Sequence, residues 1–356
     1  MISVLKRGSV LKMKKILMAL FILTFIIGLT SCSDSAIPEE KDAEGRWRPS
    51  RNITALAGSA VGGGMDTLNR MVIPGLQERF GVNVAPNNMP GANNAIALGH
   101  LMSSPADGYM LFALSSGSLT FPATALSNYD YRHFQTLAIA QAAHPVICVS
   151  ASSPFTTMEE WMEAIRIGNT TASNSGMGGI WHLPQLVIVN AIGGSTTYIA
   201  YDGGRPAVTA VAQREVDWSM SDLSEAMSFI QEGLVRPLAV HSTVDIYLEG
   251  YGYIPSILNW LPEIEEYIPL TNGFRGFAIK RDTPQYRVDT WIETLRIVLN
   301  NPDVIEATRG MNVTPLAIFG EEAEEMVRAA TYFSSWLLYD MGYAERSPAN
   351  VGLERQ

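Results

Sequence analysis

The 356-residue chain carries 25 basic against 35 acidic residues, a net charge of −10, and 47% of it is apolar. An acidic balance of this size argues against nucleic acid or an anionic lipid surface as partner. Two cysteines, Cys32 and Cys148, do not make a disulfide scaffold, and the five histidines show no metal-ligand spacing.

Residues 1–31 open with Lys6, Arg7, Lys12, Lys14 and Lys15, followed by an apolar run, Ile16 to Thr30, too short to span a bilayer comfortably. Met13-Lys14-Lys15 is an alternative start. The run ends in Leu29-Thr30-Ser31-Cys32, which resembles a bacterial lipobox. Residues 1–31 are therefore expected to be a lipoprotein signal peptide, with Cys32 the lipidated first residue of the mature chain. An ordinary signal peptide with an incidental cysteine is the alternative. Removal takes away five basic groups and no acid, leaving 20 against 35 and a net −15. Residues 32–50 are polar, with proline, glycine and mixed charge, and read as a tether. The remaining ~300 residues suffice for two domains.

Ile53 to Leu56 reads as a buried strand, and Gly62, Gly63 and Gly64 follow. From Asp66, apolar residues Leu68, Met71, Val72, Leu76 and Phe80 recur at helical spacing. A strand thus turns through glycines into a helix start, where unpaired amides and a partial positive charge favour an anion. The phosphate fingerprints are missing, so this loop is either a structural turn or a carboxylate site. Asp66 either caps the helix or faces a ligand.

Val82–Ala85 reads as the next strand, Asn87–Asn94 as a loop and 95–102 as a helix. Tyr109–Leu114 is a third strand, ending in Ser115-Ser116-Gly117-Ser118. This order predicts a parallel sheet with helices on both faces and a ligand beyond the strand ends. A second set begins near residue 150. A capping box, Thr156-Thr157-Met158-Glu159, starts a helix that Gly168 stops. Ser173–Gly179 forms a loop, and Tyr198–Ala200 leads to Tyr201-Asp202-Gly203-Gly204-Arg205, with Pro206 opening a helix. Val216–Met220 ends at Ser221-Asp222, with Asp222 able to cap the helix that follows, and Val235–His241 is the next strand. Cys148, in the apolar run Pro145–Val149, reads as a core thiol. Near Phe274–Ile279 a strand reappears, followed by helices to Asn300, over 302–309 and over 321–341, read as a return to the first domain. The expected division is 50–148 plus 270–356 for a discontinuous domain 1, and 149–269 for domain 2.

These segments resemble the extracytoplasmic solute-binding receptors of tripartite tricarboxylate transporters. The resemblance spans about residues 51–343. The family's proline-glycine-glycine turn and aspartate are matched by Gly62-Gly63-Gly64-Met65-Asp66, with Gly62 in the proline position. Its second loop is matched by Asn88-Met89-Pro90-Gly91-Ala92-Asn93-Asn94, and its aspartate-glycine-tyrosine segment by Asp107-Gly108-Tyr109. The turn Ser115-Ser116-Gly117, the loop Ser173–His182, Tyr201-Asp202-Gly203 and Ser221-Asp222 complete the series. The resemblance implies an α/β fold of the periplasmic-binding-protein type II-like clamshell kind, two α/β domains joined by a two-crossover hinge. It implies a receptor and not an enzyme, without cofactor or metal. It implies a monomer that captures a small carboxylate for large and small permease subunits; a clamshell receptor serving another transporter or a sensor kinase is the alternative. It carries ligand-binding roles onto Gly62, Gly63, Gly64, Asp66, Asn93, Asn94, Ser115, Ser116, Gly178, Trp181, Tyr201, Asp202, Gly203 and Asp222.

Asn93 and Asn94 stand where the family has glycines, and Asp202 where a lysine is common. Met177, Ile180 and Trp181 stand where small polar residues are usual. With Phe121 as further apolar surface, these residues lead to the expectation of a ligand with one carboxylate and an apolar or cationic remainder. His182 is read as a ligand contact or a core residue, and Arg205 as a carboxylate partner or an ion pair with Asp202. No nucleophile elbow, Cys/His pair or metal cluster supports a hydrolase.

Overall fold

The computed structural model describes residues 41–355. The expected signal peptide, residues 1–31, and the lipidation site Cys32 lie outside the described residues. From the first strand, β1 (Ile53–Ala57) turns through glycines into α1 (Gly64–Phe80), which ends on left-handed Gly81 at φ 69°. β2 (Val84–Asn88), α2 (Ala95–Ser103), β3 (Met110–Ser115), the one-turn α3 (Phe121–Thr124) and β4 (Phe134–Ala142) follow. β2 runs three residues past its expected end because it stays in register with β1 as far as the Ala57–Asn88 pair.

The chain crosses at Ala143-His144 into β5 (Pro145–Ser150), α4 (Met158–Ile167), β6 (Thr171–Asn174), α5 (His182–Ile192) and β7 (Thr197–Ala200). Next come α6 (Gly204–Ala212), β8 (Trp218–Asp222), α7 (Leu223–Gln231) and β9 (Val235–Val240). A hairpin, β10 (Ile246–Leu248) and β11 (Gly252–Ile254), and the short α8 (Ile268–Thr271) precede the return. The chain returns through β12 (Phe274–Lys280), α9 (Gln285–Leu299), α10 (Pro302–Gly310), β13 (Thr314–Phe319) and α11 (Glu321–Asp340). The capping box of α4 is one residue further on than expected: Thr157 accepts from the Glu160 amide while Glu160 accepts from the Thr157 amide. Pro206 is the third residue of α6 and not its first.

Besides the β10-β11 hairpin, the described residues form two large sheets, ordered β13-β4-β12-β3-β1-β2 and β7-β6-β8-β5-β9. Both are mixed, which corrects the expectation of parallel sheets. Strands joined by helical crossovers are parallel, as β1 is to β2 and β3, and as β6 is to β7 and β8. β12 and β5 arrive from the other sheet and insert antiparallel to both neighbours. Each sheet is covered on both faces. In the first, Leu68, Val72 and Leu76 of α1 meet Trp291 and Leu295 of α9, while Leu98 and Leu101 of α2 share the other face with Val327 of α11. In the second, Trp161 and Ile188 lie on one face, and Val208, Val211 and Ile230 on the other. Each such side chain stabilises by about 1.5–3 kcal/mol against exposure. Two three-layer domains joined by two crossovers, at Ala143-His144 and Asn272-Gly273, form a clamshell. β5 already pairs in the second sheet from Pro145, ahead of the 148/149 boundary. α11 reaches the second domain with its last turns, where Leu338 packs on Leu183 and Leu186.

The tether read over 32–50 does not extend to its expected end. Trp47 is 3% exposed, and its ring packs 5.0 Å from Tyr109 and 6.1 Å from Trp291. Its amide donates to Thr290 Oγ1 at 2.9 Å. A single large ring inside a polar stretch is enough to seat the segment on the core. Cys148 is buried and free, and burial pushes its thiol up to about 12, as suits an inert core residue.

Candidate functional site

A cleft of about 640 Å³ lies between the strand-end loops of the two sheets. From the first domain, the loop after β1 brings Gly63, Gly64 and Met65 to its wall. At the start of α1 the amides of Gly64 and Met65 have no intrahelical acceptor. The next two amides are taken: Asp66 N–H donates to Ser59 Oγ at 3.2 Å and Thr67 N–H to the Gly63 carbonyl at 2.9 Å. A β-carbon built on Gly64 would overlap the guanidinium of Arg275, so the helix start and this arginine touch. Gly62 and Asp66 do not line the cleft. Asp66 is buried behind the turn, where it accepts from Gly62 N–H at 2.8 Å and from Arg70 Nε at 2.9 Å. Burial pushes its carboxyl up, but the bonds from Arg70 and Gly62 outweigh this and hold it below the ordinary carboxylate range. It braces the turn and neither faces the cleft nor caps the helix.

In the second loop, Gly91, Ala92, Asn93 and Asn94 all have positive φ, from 48° to 123°. Asn93 and Asn94 both line the cleft. Asn93 spans it, donating to the Met177 carbonyl of the other domain at 3.1 Å. Asn94 is 2% exposed and donates to Ser118 Oγ at 3.0 Å, while its Oδ1 has no partner. After β3, Ser115 lines the cleft, whereas Ser116 accepts from the Phe274 amide and secures the returning strand. Phe121 is fully buried in the first core and adds no surface to the cleft.

From the second domain come Ile180, Trp181, Tyr201, Asp202, Gly203 and Arg205. Gly203 sits at φ 120°, a conformation in which a side chain is strained. Tyr201 donates from its hydroxyl to Glu215 at 3.2 Å. Arg205 does not pair with Asp202; its guanidinium lies 5.5 Å over the Phe229 ring. Met177 is absent from the lining. So is Gly178, which packs on Thr124 and donates its amide to His182 Nδ1 at 3.0 Å. His182 is a core residue stacked edge-on against Tyr198 and Tyr343. Burial lowers it to about 4, and lowers His241, bonded to Thr271, to about 3. Both groups are neutral in the fold, and the unfolded chain protonates near 6.5. Their contribution is complete above pH 6.5 and is lost as pH falls toward 4, about 3 kcal/mol per histidine. Denaturant melts of His182→Gln between pH 7.5 and 4.5 should show a shallower acid decline than wild type; parallel curves would contradict this.

Asp222 stands at the end of β8 without lining the cleft. One carboxylate oxygen caps α7 through the Ser224 amide at 3.1 Å, and the other pairs with Arg275 of β12. This pair joins the two domains and is buried, at 5% exposure for Arg275 and 0% for Asp222. Arg275 also lines the cleft, beside Glu225 from the first turn of α7. Burial works against the charge of Arg275, but Asp222 and Glu225 more than restore it. Burial first, then the Asp222 charge, push Glu225 up to about 7, against the opposing pull of Arg275 and the Trp181 indole. Neither Arg275 nor Glu225 is marked as a site residue by any motif of the sequence. The available signal is an arginine inside the otherwise apolar stretch Phe274–Ile279, which burial obliges to find an acid. Of the residues expected at the site, the cleft gathers Gly63, Gly64, Asn93, Asn94, Ser115, Trp181, Tyr201, Asp202 and Gly203.

A family model for the tripartite tricarboxylate transporter family receptor matches residues 68–249. A UPF0065 protein from Pseudomonas sp. strain P51 is 24% identical over 274 residues, covering 74% of this chain and 79% of its own. Among solved structures, Rpa4515 of R. palustris with adipate superposes with a TM-score of 0.74 at 22% identity, covering 83% of this chain and 99% of its own. MatC from Rhodopseudomonas palustris with bound malate superposes with a TM-score of 0.72 at 17% identity, covering 82% and 99%. The periplasmic binding protein BugD shares the fold with a TM-score of 0.73 at 20% identity, covering 84% and 100%. These likenesses establish the periplasmic-binding-protein clamshell as the fold. The chain belongs to the tripartite tricarboxylate transporter receptor family, whose members are extracytoplasmic solute receptors and not enzymes.

Proposed function

We propose that this receptor captures a small carboxylate between its two domains and delivers it to a tripartite tricarboxylate-type transporter with large and small permease subunits. The observation that carries the reading is the start of α1: free first-turn amides at Gly64 and Met65 open into a cleft walled by both sheets. The malate and adipate named with two structural neighbours are acids of the same kind. Domain 1 is taken as about 50–143 plus 273–355 and domain 2 as 144–272, a few residues from the expected 148/149 and 269/270 boundaries because β5 and α8 belong with the second sheet, with closure about the two crossovers. A thermal-shift panel of mono-, di- and tricarboxylates, aromatic acids and amino acids tests the reading. At least one acid at a hundred times its Kd should stabilise by about 2.7 kcal/mol. A panel in which no carboxylate shifts the melt contradicts it.

The receptor is further proposed to be a monomer held at the membrane by lipid on Cys32, on the strength of the Leu29–Cys32 box and the basic-then-apolar leader. Cys32→Ala should abolish incorporation of a fatty-acid probe and release exported protein from the membrane. Equal labelling of wild type and variant would refute the anchor.

A further inference from the structure

We propose that the cleft is built for a zwitterion, with the ligand carboxylate held at the amino end of α1 and its ammonium group accepted by Glu225. The inference rests on the carboxylate-receptor reading and assigns the other end of the same ligand. Three observations lead to it. Glu225 lines the cleft, and its Oε2 is buried there against Gly204 with no hydrogen-bond partner; Asn94, which lines the cleft from the opposite domain, has a buried and likewise unpartnered Oδ1 against Gly58. Buried acceptors without a partner, on residues that line a binding cleft, call for a donor. The charge count agrees. Asp222 and Glu225 share one arginine, Arg275, so the fully ionised floor carries one negative charge in excess. Asp202 and Glu215, against Arg205, keep the rest of the lining from turning positive. A second ligand carboxylate would meet this surplus, whereas an ammonium would neutralise it.

Glu225 is faced by Asp222 at the end of β8, Arg275 of β12, the Trp181 indole, and Gly204 at the start of α6, where any side chain would overlap Oε2. With Glu225 titrating at about 7, a proton occupies in the free cleft the place of the ligand's cation. Binding an ammonium expels that proton. Affinity for a zwitterion therefore rises with pH through 7, by about tenfold between pH 6 and pH 8. Affinity for a diacid moves in the opposite direction.

Matched pairs separate the two: 4-aminobutanoate and succinate, 5-aminopentanoate and glutarate, 6-aminohexanoate and adipate. Calorimetry at pH 8 should find the amino acid at least tenfold tighter in the best-binding pair, weakening about tenfold at pH 6. Glu225→Gln should remove the pH dependence and turn the preference toward the diacid, with the melting temperature recorded to exclude misfolding. Diacids binding as tightly as or more tightly than their partners overturn the inference while leaving the receptor reading intact. So does binding confined to other acids of the thermal-shift panel, or an equal loss for both pair members in Glu225→Gln. A panel blank for every carboxylate overturns the receptor reading itself, and the inference with it.

Discussion

Arg275→Met is expected to destabilise the protein by about 3–5 kcal/mol at pH 8 and to abolish ligand capture. The side chain is 5% exposed, and its partner Asp222 is fully buried at the end of β8. Removing the guanidinium leaves that carboxylate, and Glu225 beside it, as buried like charges with no counterion. The isolated pair itself contributes less than its loss costs, because burying two ions consumes most of their mutual attraction. Asp222→Asn in the same chain should therefore recover much of the stability, and the two changes should be strongly non-additive. The pair also spans the two domains, so the variant should hold the cleft open and lose affinity even where it folds. Urea melts of the two single variants and the double variant check this. A loss below about 1 kcal/mol for Arg275→Met, or simple additivity, would show that the pair is incidental.

Gly64→Val has the second large effect. From sequence alone the expected cost falls on binding, since a side chain at a helix start blocks an anion from the amides. The structure adds a cost in stability. The new β-carbon overlaps the Arg275 guanidinium, which is pinned by Asp222 and cannot swing aside without breaking the pair. An affinity loss of at least a hundredfold is expected, with destabilisation of about 1–3 kcal/mol from overpacking. In the Arg275→Met background the same substitution should cost less stability, because the side chain at 275 is no longer pinned by Asp222 and can move aside. Calorimetry and melts on both backgrounds read the two effects separately. Undiminished affinity for the best acid would reduce the first loop to a structural turn.

How far sequence reached is clear from these residues. The glycines after β1 announced a strand turning into a helix because only a few residue types allow that geometry. Left-handed Gly168 ends its helix where expected. The function of Asp66 was not legible, since a buried brace and an exposed anchor have the same local sequence. Arg275 is not legible because its partner lies 53 residues away in another domain, and nothing local records that meeting. Glu225 reads as one more polar residue on an amphipathic helix until Asp222 and Arg275 are placed beside it. Strand direction was hidden for a similar reason. β12 and β5 have ordinary strand sequences, and only their arrival through the crossovers sets them antiparallel. β13 is partly exposed, with weak alternation, and carries a proline at its second position, all of which mask a strand.

Ligand capture rests on a carboxylate held at the amino end of α1, between the two sheets. A crystal structure of the receptor with the tightest-binding acid tests it directly. The expected result is a carboxylate oxygen within hydrogen-bond distance of the Gly64 or Met65 amide, with the other end of the ligand against Glu225. A ligand lying outside the cleft, or one whose carboxylate is bound far from the start of α1, would contradict it.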